Sequence, residues 1–396
     1  MERIAFVIQR YGLEVNGGAE LQCRLYAEHM AKYYDVDVLT TKAIDYTTWR
    51  DEYEADTEEL NGVTVRRFSV ESTRDRKSFD ILSLKILQLD ATLEEEEDWM
   101  RRQGPCCPSL IQYIRAHRGD YKVFIFNTYL YYTTYFGLPE VSNKAIMIPT
   151  AHDELPIYLN IFRKLFALPA GYFYHTVQEK EFVERRFHTE NKLHNNGQGG
   201  VGIDLPQDIS AERFRRKYGV EDFVVYIGRV DEHKGCRELA LYFQEYERRN
   251  GGGLQLLYLG KQVCELPQDD SIRSLGFVEE QDKFDALAAC RFLILPSQFE
   301  SLSIVVLEAM AMRRPVLIQG NCEVVKAHCL ASNAGLYYHN YFEFEGCMNY
   351  LRSHSDLCEQ MGKNGEDYVR RYYAWDAIET RLRNMIEQIG TGVTRV

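Results

Sequence analysis

The chain has 396 residues, of which 45% are hydrophobic, and a formal net charge of −12 at pH 7. This length predicts two domains, and the apolar content is enough for two cores, so the sequence is neither disordered nor fibrous. The acidic balance argues against nucleic acid as a partner, whereas a local basic patch would still permit peripheral contact with an inner membrane face.

Short apolar runs alternate with amphipathic segments along the first half of the chain. Residues 72–119 interrupt this rhythm and are predicted as a helical insertion, in which the acidic run 94–98 forms a solvated helix face. The strands before and after the insertion are predicted at 4–8, 36–40, 63–68, 123–127, 145–150 and 176–178. This alternation of strands and helices predicts a parallel sheet with helices on both faces.

The segment 194–206 is rich in Asn and Gly and has linker composition, and after it the rhythm restarts. Strands are predicted at 223–228, 254–260, 292–297 and 315–320, and a helix at 304–314. We therefore predict two Rossmann-like, doubly wound α/β domains that face a cleft, with residues 1–202 in the first and 203–375 in the second. Residues 376–396 are expected to form a helix that crosses back to the first domain. Ligands of such sheets bind beyond the carboxyl ends of the strands.

A loop with two cations follows the first strand of the second half. Gly228 and Gly235 permit tight backbone turns at its two ends, and Arg229 and Lys234 lie between them. Arginine provides a fixed bidentate fork and lysine a mobile point charge, a combination suited to a pyrophosphate. Taken alone, the loop is equally compatible with a solvated basic turn.

Two glutamates flank the start of the predicted helix at 304–314. Glu308 lies in the apolar stretch VVLEAMAM, where an acid is costly to bury without partners, so a ligand-binding role is favoured over an exposed helix stripe. Glu300 precedes the helix, and its alternative role is to complement the helix dipole. Either carboxylate is suited to accept hydrogen bonds from two hydroxyls of a ribose or a hexose.

These motifs together resemble glycosyltransferase family 4. The resemblance lies in the Glu-x7-Glu spacing of Glu300 and Glu308, the preceding PS, the following EAMA and the upstream GRVDEHKG, and it extends over nearly the whole chain. It implies the two-domain GT-B fold and sugar transfer from a nucleoside-diphosphate sugar with retention of configuration. It also implies that Arg229 and Lys234 hold the donor pyrophosphate, Glu300 the transferred sugar and Glu308 the ribose.

The segment between the two glutamates departs from the family. Members commonly have Gly-Phe-Gly after the first glutamate, where this chain has Ser301-Leu302-Ser303. The added side chains are expected to narrow the pocket beside the donor sugar. The backbone N–H groups around Leu302, Ser303 and Ile304 would still form an anion site at the helix N-terminus, so Ser301 to Ile304 are assigned to donor binding.

Two features of the first half match the same family. Gly17 and Gly18 follow the first strand and open the first helix, where glycines let the backbone approach a ligand. The resemblance implies contact with the donor phosphate and the acceptor. His152 follows the strand at 145–150 and matches the position where family members often place a histidine near the transferred sugar. Asp153 is expected to orient its ring.

Two other clusters receive structural interpretations. The tyrosines after the strand at 123–127 are assigned to a helix packed on the sheet rather than to acceptor stacking. Cys322, His328 and Cys329 lack a second ligand pair at finger-like spacing, which argues against a metal site. The cysteines as a whole have no framework spacing, and no apolar run is long enough for a signal peptide or a membrane span. The sequence therefore predicts reduced thiols in a cytoplasmic protein.

The expected chemistry is metal-independent. No convincing Asp-x-Asp motif follows a strand, so the loop cations are expected to replace a metal ion in stabilising the leaving group. We expect no cofactor, a UDP- or GDP-sugar as cosubstrate, and a carbohydrate, glycolipid or other hydroxyl compound as acceptor. Base contacts are expected in the loop after 254–260 and around Gly276, Phe277 and Val278. Two rival hypotheses are a nucleotide-sugar epimerase of the same fold and a non-catalytic sugar-binding subunit.

Overall fold

The computed structural model describes residues 1–86, 88, 90–197 and 199–391. Parts of the predicted insertion, of the segment with linker composition and of the C-terminal segment therefore lie outside the described residues. The chain divides into two compact units. Unit 1 consists of Met1–Val201 and the residues from Asp376 onward, and unit 2 is Gly202–Trp375.

Unit 1 is built on a sheet whose described part has eight strands. In chain order they are β1 (Arg3–Val7), β2 (Asp35–Thr41), β3 (Thr57–Leu60), β4 (Val63–Phe68), β5 (Phe124–Asn127), β6 (Ala145–Ile148), β7 (Gly171–Tyr172) and β8 (Leu193–His194). Their order in the sheet is β3-β4-β2-β1-β5-β6-β7-β8. All neighbours run parallel except β3 and β4, which are antiparallel. The apolar runs of β1, β5 and β6 are buried, as a sheet covered on both faces requires.

The described helices of unit 1 that precede residue 201 connect these strands. They are α1 (Gly18–Met30), α2 (Arg76–Ile86), α3 (Leu93–Gln103), α4 (Pro108–Ala116), α5 (Tyr132–Gly137), α6 (Ile161–Ala167) and α7 (Val177–Phe187). Helices α2, α3 and α4 fall within the predicted insertion. Tyr129 and Tyr132 are buried in the core of unit 1, which agrees with the packing interpretation for these two tyrosines.

Two sequence predictions in unit 1 are wrong in detail. The acidic run is not wholly solvated, because Glu96 is 1% exposed and accepts a hydrogen bond of 2.9 Å from the backbone N–H of Ile161, where α6 begins. The strand expected at 176–178 is instead the start of α7. Thr176 is the N-cap of that helix, and its hydroxyl accepts from the N–H of Glu179, a capping contact that decided the local structure against a strand.

Unit 2, every residue of which is described, has a six-stranded parallel sheet ordered β11-β10-β9-β12-β13-β14. Its strands are β9 (Phe223–Ile227), β10 (Gln255–Leu259), β11 (Ile272–Gly276), β12 (Leu293–Leu295), β13 (Val316–Gln319) and β14 (Gly335–Tyr338). Its helices are α8 (Ala211–Tyr218), α9 (Cys236–Asn250), α10 (Glu280–Ala289), α11 (Ile304–Ala311), α12 (Glu323–Ser332), α13 (Tyr341–Ser353) and α14 (Ser355–Tyr372). Both units are therefore α/β domains on largely parallel sheets, as the sequence predicts.

The last described helix, α15 (Trp375–Gly390), belongs to unit 1 from Asp376 onward. Its Glu379 accepts from Lys32 (2.8 Å) and Tyr33 (2.7 Å), and Glu387 accepts from Tyr34 (2.7 Å). These contacts hold the C-terminal helix against α1 and the residues that follow it. In the part of the chain that the structure describes, no helix combines the length and apolar composition needed to cross a membrane.

Candidate functional site

Three loops meet closely at the carboxyl edge of the sheet in unit 2. Gly228 and Gly260 follow β9 and β10 with φ of 147° and 145°, and a Cβ on Gly260 would lie 1.9 Å from the carbonyl oxygen of Gly228. A Cβ on Gly235, with φ of 72°, would lie 2.7 Å from the carbonyl oxygen of Pro296, which follows β12. These positions therefore require glycine, and they bring the two predicted motifs together.

Lys234 and Glu300 form an ion pair that joins the loops after β9 and β12. The Nζ of Lys234 lies 2.8 Å from Oε1 of Glu300, and the two side chains are 33% and 16% exposed. The sequence predicts both residues as donor-binding, and the structure adds that they contact each other. Because both side chains keep an exposed part, a ligand can still reach this pair.

Arg229 is held by an acid of its own loop. Its Nε lies 2.9 Å from Oδ2 of Asp231, whose Oδ1 accepts from the backbone N–H of His233. The hydroxyl of Tyr226 donates to the carbonyl oxygen of Arg229 across 2.8 Å. The loop is thus braced from both sides, and the side chain of Arg229 remains 40% exposed, as a phosphate-binding cation must be.

The segment from Ser301 to Ile304 leads into α11. Ser303 is the N-cap residue in a left-handed conformation (φ 63°), and its side chain makes no capping bond. Leu302 is buried, and its carbonyl oxygen lies 3.1 Å from Nε2 of His328. Burial lowers the pKa of His328 to about 4, so its ring is neutral and structural at neutral pH. The carbonyl oxygen of Ser303 accepts from the N–H of Val306 (3.1 Å), and its side chain caps no N–H group, so the N–H groups of Ile304 and Val305 are the ones suited to an anion.

Glu308 is buried and ion-paired. It is 7% exposed, which excludes the exposed-stripe interpretation, and its Oε1 lies 2.5 Å from Nζ of Lys283 on α10. The sequence does not indicate Lys283, because nothing in its charged helix EQDKFDALAA predicts a partner in α11. Phe277 follows β11 on the same edge, shortly before α10, and is 68% exposed.

The glycine loop of unit 1 leads into α1. Gly17 is the N-cap of this helix, with φ of 153°, and a Cβ there would lie 2.0 Å from Oε2 of Glu20. A Cβ on Gly18 would meet nothing within 4 Å, so the space beside this residue is open. The helix N-terminus is therefore accessible at Gly18.

A buried ion pair that the sequence does not reveal supports this loop. Oε1 of Glu20 accepts from Nε of Arg10 (3.0 Å) and from Nε2 of Gln9 (2.9 Å). The guanidinium of Arg10 also donates to the carbonyl oxygens of Asn16 (2.9 Å) and Ile44 (2.6 Å). Arg10 and Glu20 are 5% and 6% exposed, so the pair fixes the loop from within.

Glu179 holds the backbone that leads to His152. Its carboxylate accepts from the N–H of Ala151 (2.8 Å) and of His175 (2.6 Å). Burial raises the pKa of Glu179 to about 8, although these backbone hydrogen bonds oppose the shift. Thr150 has φ of 51°, a strained conformation for a β-branched residue that is found mainly where the surrounding structure imposes it.

The ring of His152 lies near the carboxylate of Glu154. Its Nε2 lies 3.5 Å from Oε2 of Glu154, whose Oε1 accepts from the hydroxyl of Tyr129 across 2.6 Å. Asp153 instead accepts from Tyr158 across 2.7 Å. The expectation that Asp153 orients the ring stays a prediction, because Tyr158 engages one oxygen of its carboxylate and Glu154 is an acid that lies beside the ring. In the described residues, no group of three His, Cys, Asp or Glu side chains is arranged to hold a metal ion.

The chain is similar to known glycosyltransferases in sequence and in fold. Residues 221–338 match the family model described as Glycosyl transferases group 1. The chain is 26% identical over 199 residues to alpha-D-kanosaminyltransferase of Streptomyces kanamyceticus. The aligned region covers 47% of this chain and 51% of that protein. The chain thus spans about half the length of the curated relatives it matches.

Solved structures with this fold match nearly the whole chain. Sucrose-phosphate synthase of Thermosynechococcus elongatus superposes with a TM-score of 0.74 at 15% identity, and the match covers 99% of this chain and 100% of that chain. HepE of Anabaena, solved in complex with UDP-glucose, has a TM-score of 0.69 at 13% identity, with 98% and 100% covered. The chain has the GT-B glycosyltransferase fold. Its residues 221–338 carry the glycosyl transferases group 1 match and contain Arg229, Lys234, Glu300 and Glu308.

Proposed function

We propose that the chain transfers a sugar from a nucleoside-diphosphate sugar to a hydroxyl acceptor. The observation that carries the proposal is the ion pair of Lys234 and Glu300 beside the braced, exposed Arg229, at the carboxyl edge of the unit 2 sheet. These residues lie in the segment that matches the glycosyltransferase family model. UDP-sugars are the first donors to test, because HepE was solved with UDP-glucose.

The two cations are proposed to bind the donor pyrophosphate together with the first N–H groups of α11. As the bond to the sugar breaks, negative charge grows on the leaving nucleoside diphosphate. Arg229 and Lys234 then interact more strongly with the transition state than with the bound donor, which lowers the barrier. We propose that they do this without a divalent metal ion.

The two glutamates are proposed to bind opposite ends of the donor. Glu300 contacts Lys234, so its carboxylate lies next to the proposed pyrophosphate position and is suited to the hydroxyls of the transferred sugar. Glu308 lies inside α11 and is assigned to the ribose. Ser301 and Leu302 form the turn after Glu300 and are proposed to narrow the pocket for the transferred sugar.

Transfer is proposed to retain the anomeric configuration. The bond from the sugar C1 to the phosphate oxygen breaks, and the bond to the acceptor oxygen forms on the same face. The acceptor's proton passes to an oxygen of the leaving phosphate, so no separate base is needed. Unit 1 is proposed to bind the acceptor and the donor sugar through His152 and the open helix N-terminus at Gly18.

A thermal-shift screen of UDP, GDP, ADP and their glucose conjugates tests donor binding, because a ligand of the native state alone raises its melting temperature. Glycosyl transfer then predicts acceptor-dependent release of nucleoside diphosphate that persists in EDTA and gives a product of donor configuration by NMR. Interconversion of the donor sugar without an acceptor would show an epimerase instead. Bound donor that never turns over would show a non-catalytic subunit.

A further inference from the structure

Lys283 and Glu308 form a buried ion pair whose presence requires an explanation. Their side chains are 16% and 9% exposed, and the Nζ–Oε1 distance is 2.5 Å. The ammonium also lies 4.4 Å from the centre of the Phe284 ring and 3.9 Å from Oε1 of Glu280. Burying two charges costs about as much as their attraction returns, so such a pair adds little net stability to a fold. A role in binding explains it better.

The pair presents a hydrogen-bond acceptor beside a hydrogen-bond donor. The contact engages Oε1 of Glu308, and the carboxylate has a second oxygen, Oε2, with lone pairs of its own. The ammonium of Lys283 has three N–H donors, of which the contact with Oε1 uses one. A vicinal diol is the matching ligand, because one hydroxyl donates to the carboxylate while the oxygen of its neighbour accepts from the ammonium.

We infer that Lys283 and Glu308 together read the 2′- and 3′-hydroxyls of the donor's ribose. The inference rests on the proposed function and assigns Lys283 a direct contact with the nucleotide. The proposed function places the ribose at Glu308, and Lys283, whose ammonium contacts the same carboxylate, is therefore within reach of that sugar. Phe277, exposed just before α10, provides an aromatic face on which the base can stack.

This arrangement discriminates between ribonucleotides and 2′-deoxyribonucleotides. A lone carboxylate would accept from whichever hydroxyl is present and lose little when one is missing. With Lys283 in place, a missing hydroxyl removes a hydrogen bond to a charged donor in a largely buried position, which costs about tenfold or more in affinity. The preference for ribose should therefore depend on Lys283.

The test is calorimetric titration of the full chain with UDP and with 2′-deoxy-UDP. We expect the wild-type chain to bind UDP about tenfold more tightly, the Lys283→Met variant to bind the two within about twofold, and Lys283→Arg to keep part of the preference. The matched control is Lys217→Met. Lys217 lies 2.7 Å from the buried carboxylate of Asp282, also on α10, so its removal disturbs the same helix and should leave the wild-type ratio.

An unchanged UDP to 2′-deoxy-UDP ratio in Lys283→Met would overturn the inference and show that the lysine only neutralises Glu308. The inference is also overturned if Lys217→Met removes the preference for UDP equally, because the effect would then come from disturbing α10. Should Lys283→Met melt below the assay temperature, Lys283→Gln replaces it. If GDP or ADP binds better than UDP, that nucleotide and its 2′-deoxy form serve as probes. Failure of all three to bind the wild-type chain would overturn the proposed function itself.

Discussion

The ammonium of Lys234 donates to Oε1 of Glu300 across 2.8 Å, and this ion pair joins two loops that are distant in sequence. The proposed function gives the partners different roles, with the lysine on the pyrophosphate and the glutamate on the sugar. Substitutions of the two should therefore have different effects, which the following experiments separate.

Lys234→Ala is expected to weaken UDP binding about 10- to 100-fold, since a hydrogen bond to a charged group contributes ~1.5–3 kcal/mol. Calorimetry with UDP measures this loss. Lys363→Ala is the control, because Lys363 is also ion-paired, 2.7 Å from Glu359, but lies on α14. Equal UDP affinity in the wild-type chain and Lys234→Ala would show that Lys234 does not bind the pyrophosphate.

Glu300→Gln is expected to leave UDP affinity within about threefold of wild type, because UDP lacks the sugar that Glu300 is proposed to bind. Turnover of the UDP-sugar should fall about 100-fold or more, ~2.7 kcal/mol at ~1.4 kcal/mol per factor of ten. Titration with UDP and a steady-state assay of the same preparation check both values. Normal turnover in this variant would show that Glu300 only balances the charge of Lys234.

Arg10→Leu is expected to destabilise unit 1 by ~3–5 kcal/mol, because it leaves the buried carboxylate of Glu20 without its cation. Replacing both Arg10 and Glu20 by leucine should recover part of this loss. Urea unfolding followed by circular dichroism measures the free energies. Arg102→Leu is the control in unit 1: its partner Asp98 lies 3.0 Å away and both side chains are 47% exposed, so its loss should cost below ~1 kcal/mol.

Glu179 predicts a specific pH dependence of stability. Its carboxyl ionises near pH 4.5 in the unfolded chain and near pH 8 in the folded one, so folding takes up a proton between these values. The free energy of unfolding should therefore fall as pH rises from 5 to 8, by at most ~1.4 kcal/mol per pH unit.

The measurement compares the wild-type chain with Glu179→Gln by urea unfolding across that range. The free energy of unfolding of the wild-type chain should fall relative to that of Glu179→Gln as pH rises, because glutamine does not ionise. Glu181→Gln, at an exposed position of α7, should track the wild-type chain. A constant difference between wild type and Glu179→Gln would mean that the carboxyl of Glu179 is already ionised at pH 5 in the folded chain.

Local sequence patterns were sufficient to predict the central strands and to locate the main motifs. The runs that became β1, β9 and β12 are apolar enough to be buried from both faces, and the glycines and cations after β9 stand where a parallel sheet presents its loops. The burial of Glu308 followed from its neighbours, which leave no polar side to the helix. Very short strands such as β7 and β8, two residues each, carry too little periodicity to be recognised.

The sequence by itself determined the two α/β domains and which loops carry charge, because burial and turn formation depend on residues close together in the chain. Only the tertiary structure decided which charges meet. Lys283 and Glu308, Arg10 and Glu20, and Lys234 and Glu300 are brought together by the packing of separate loops and helices. The partner of a buried charge is chosen by distance and solvent exclusion in three dimensions, and spacing along the chain carries little information about either.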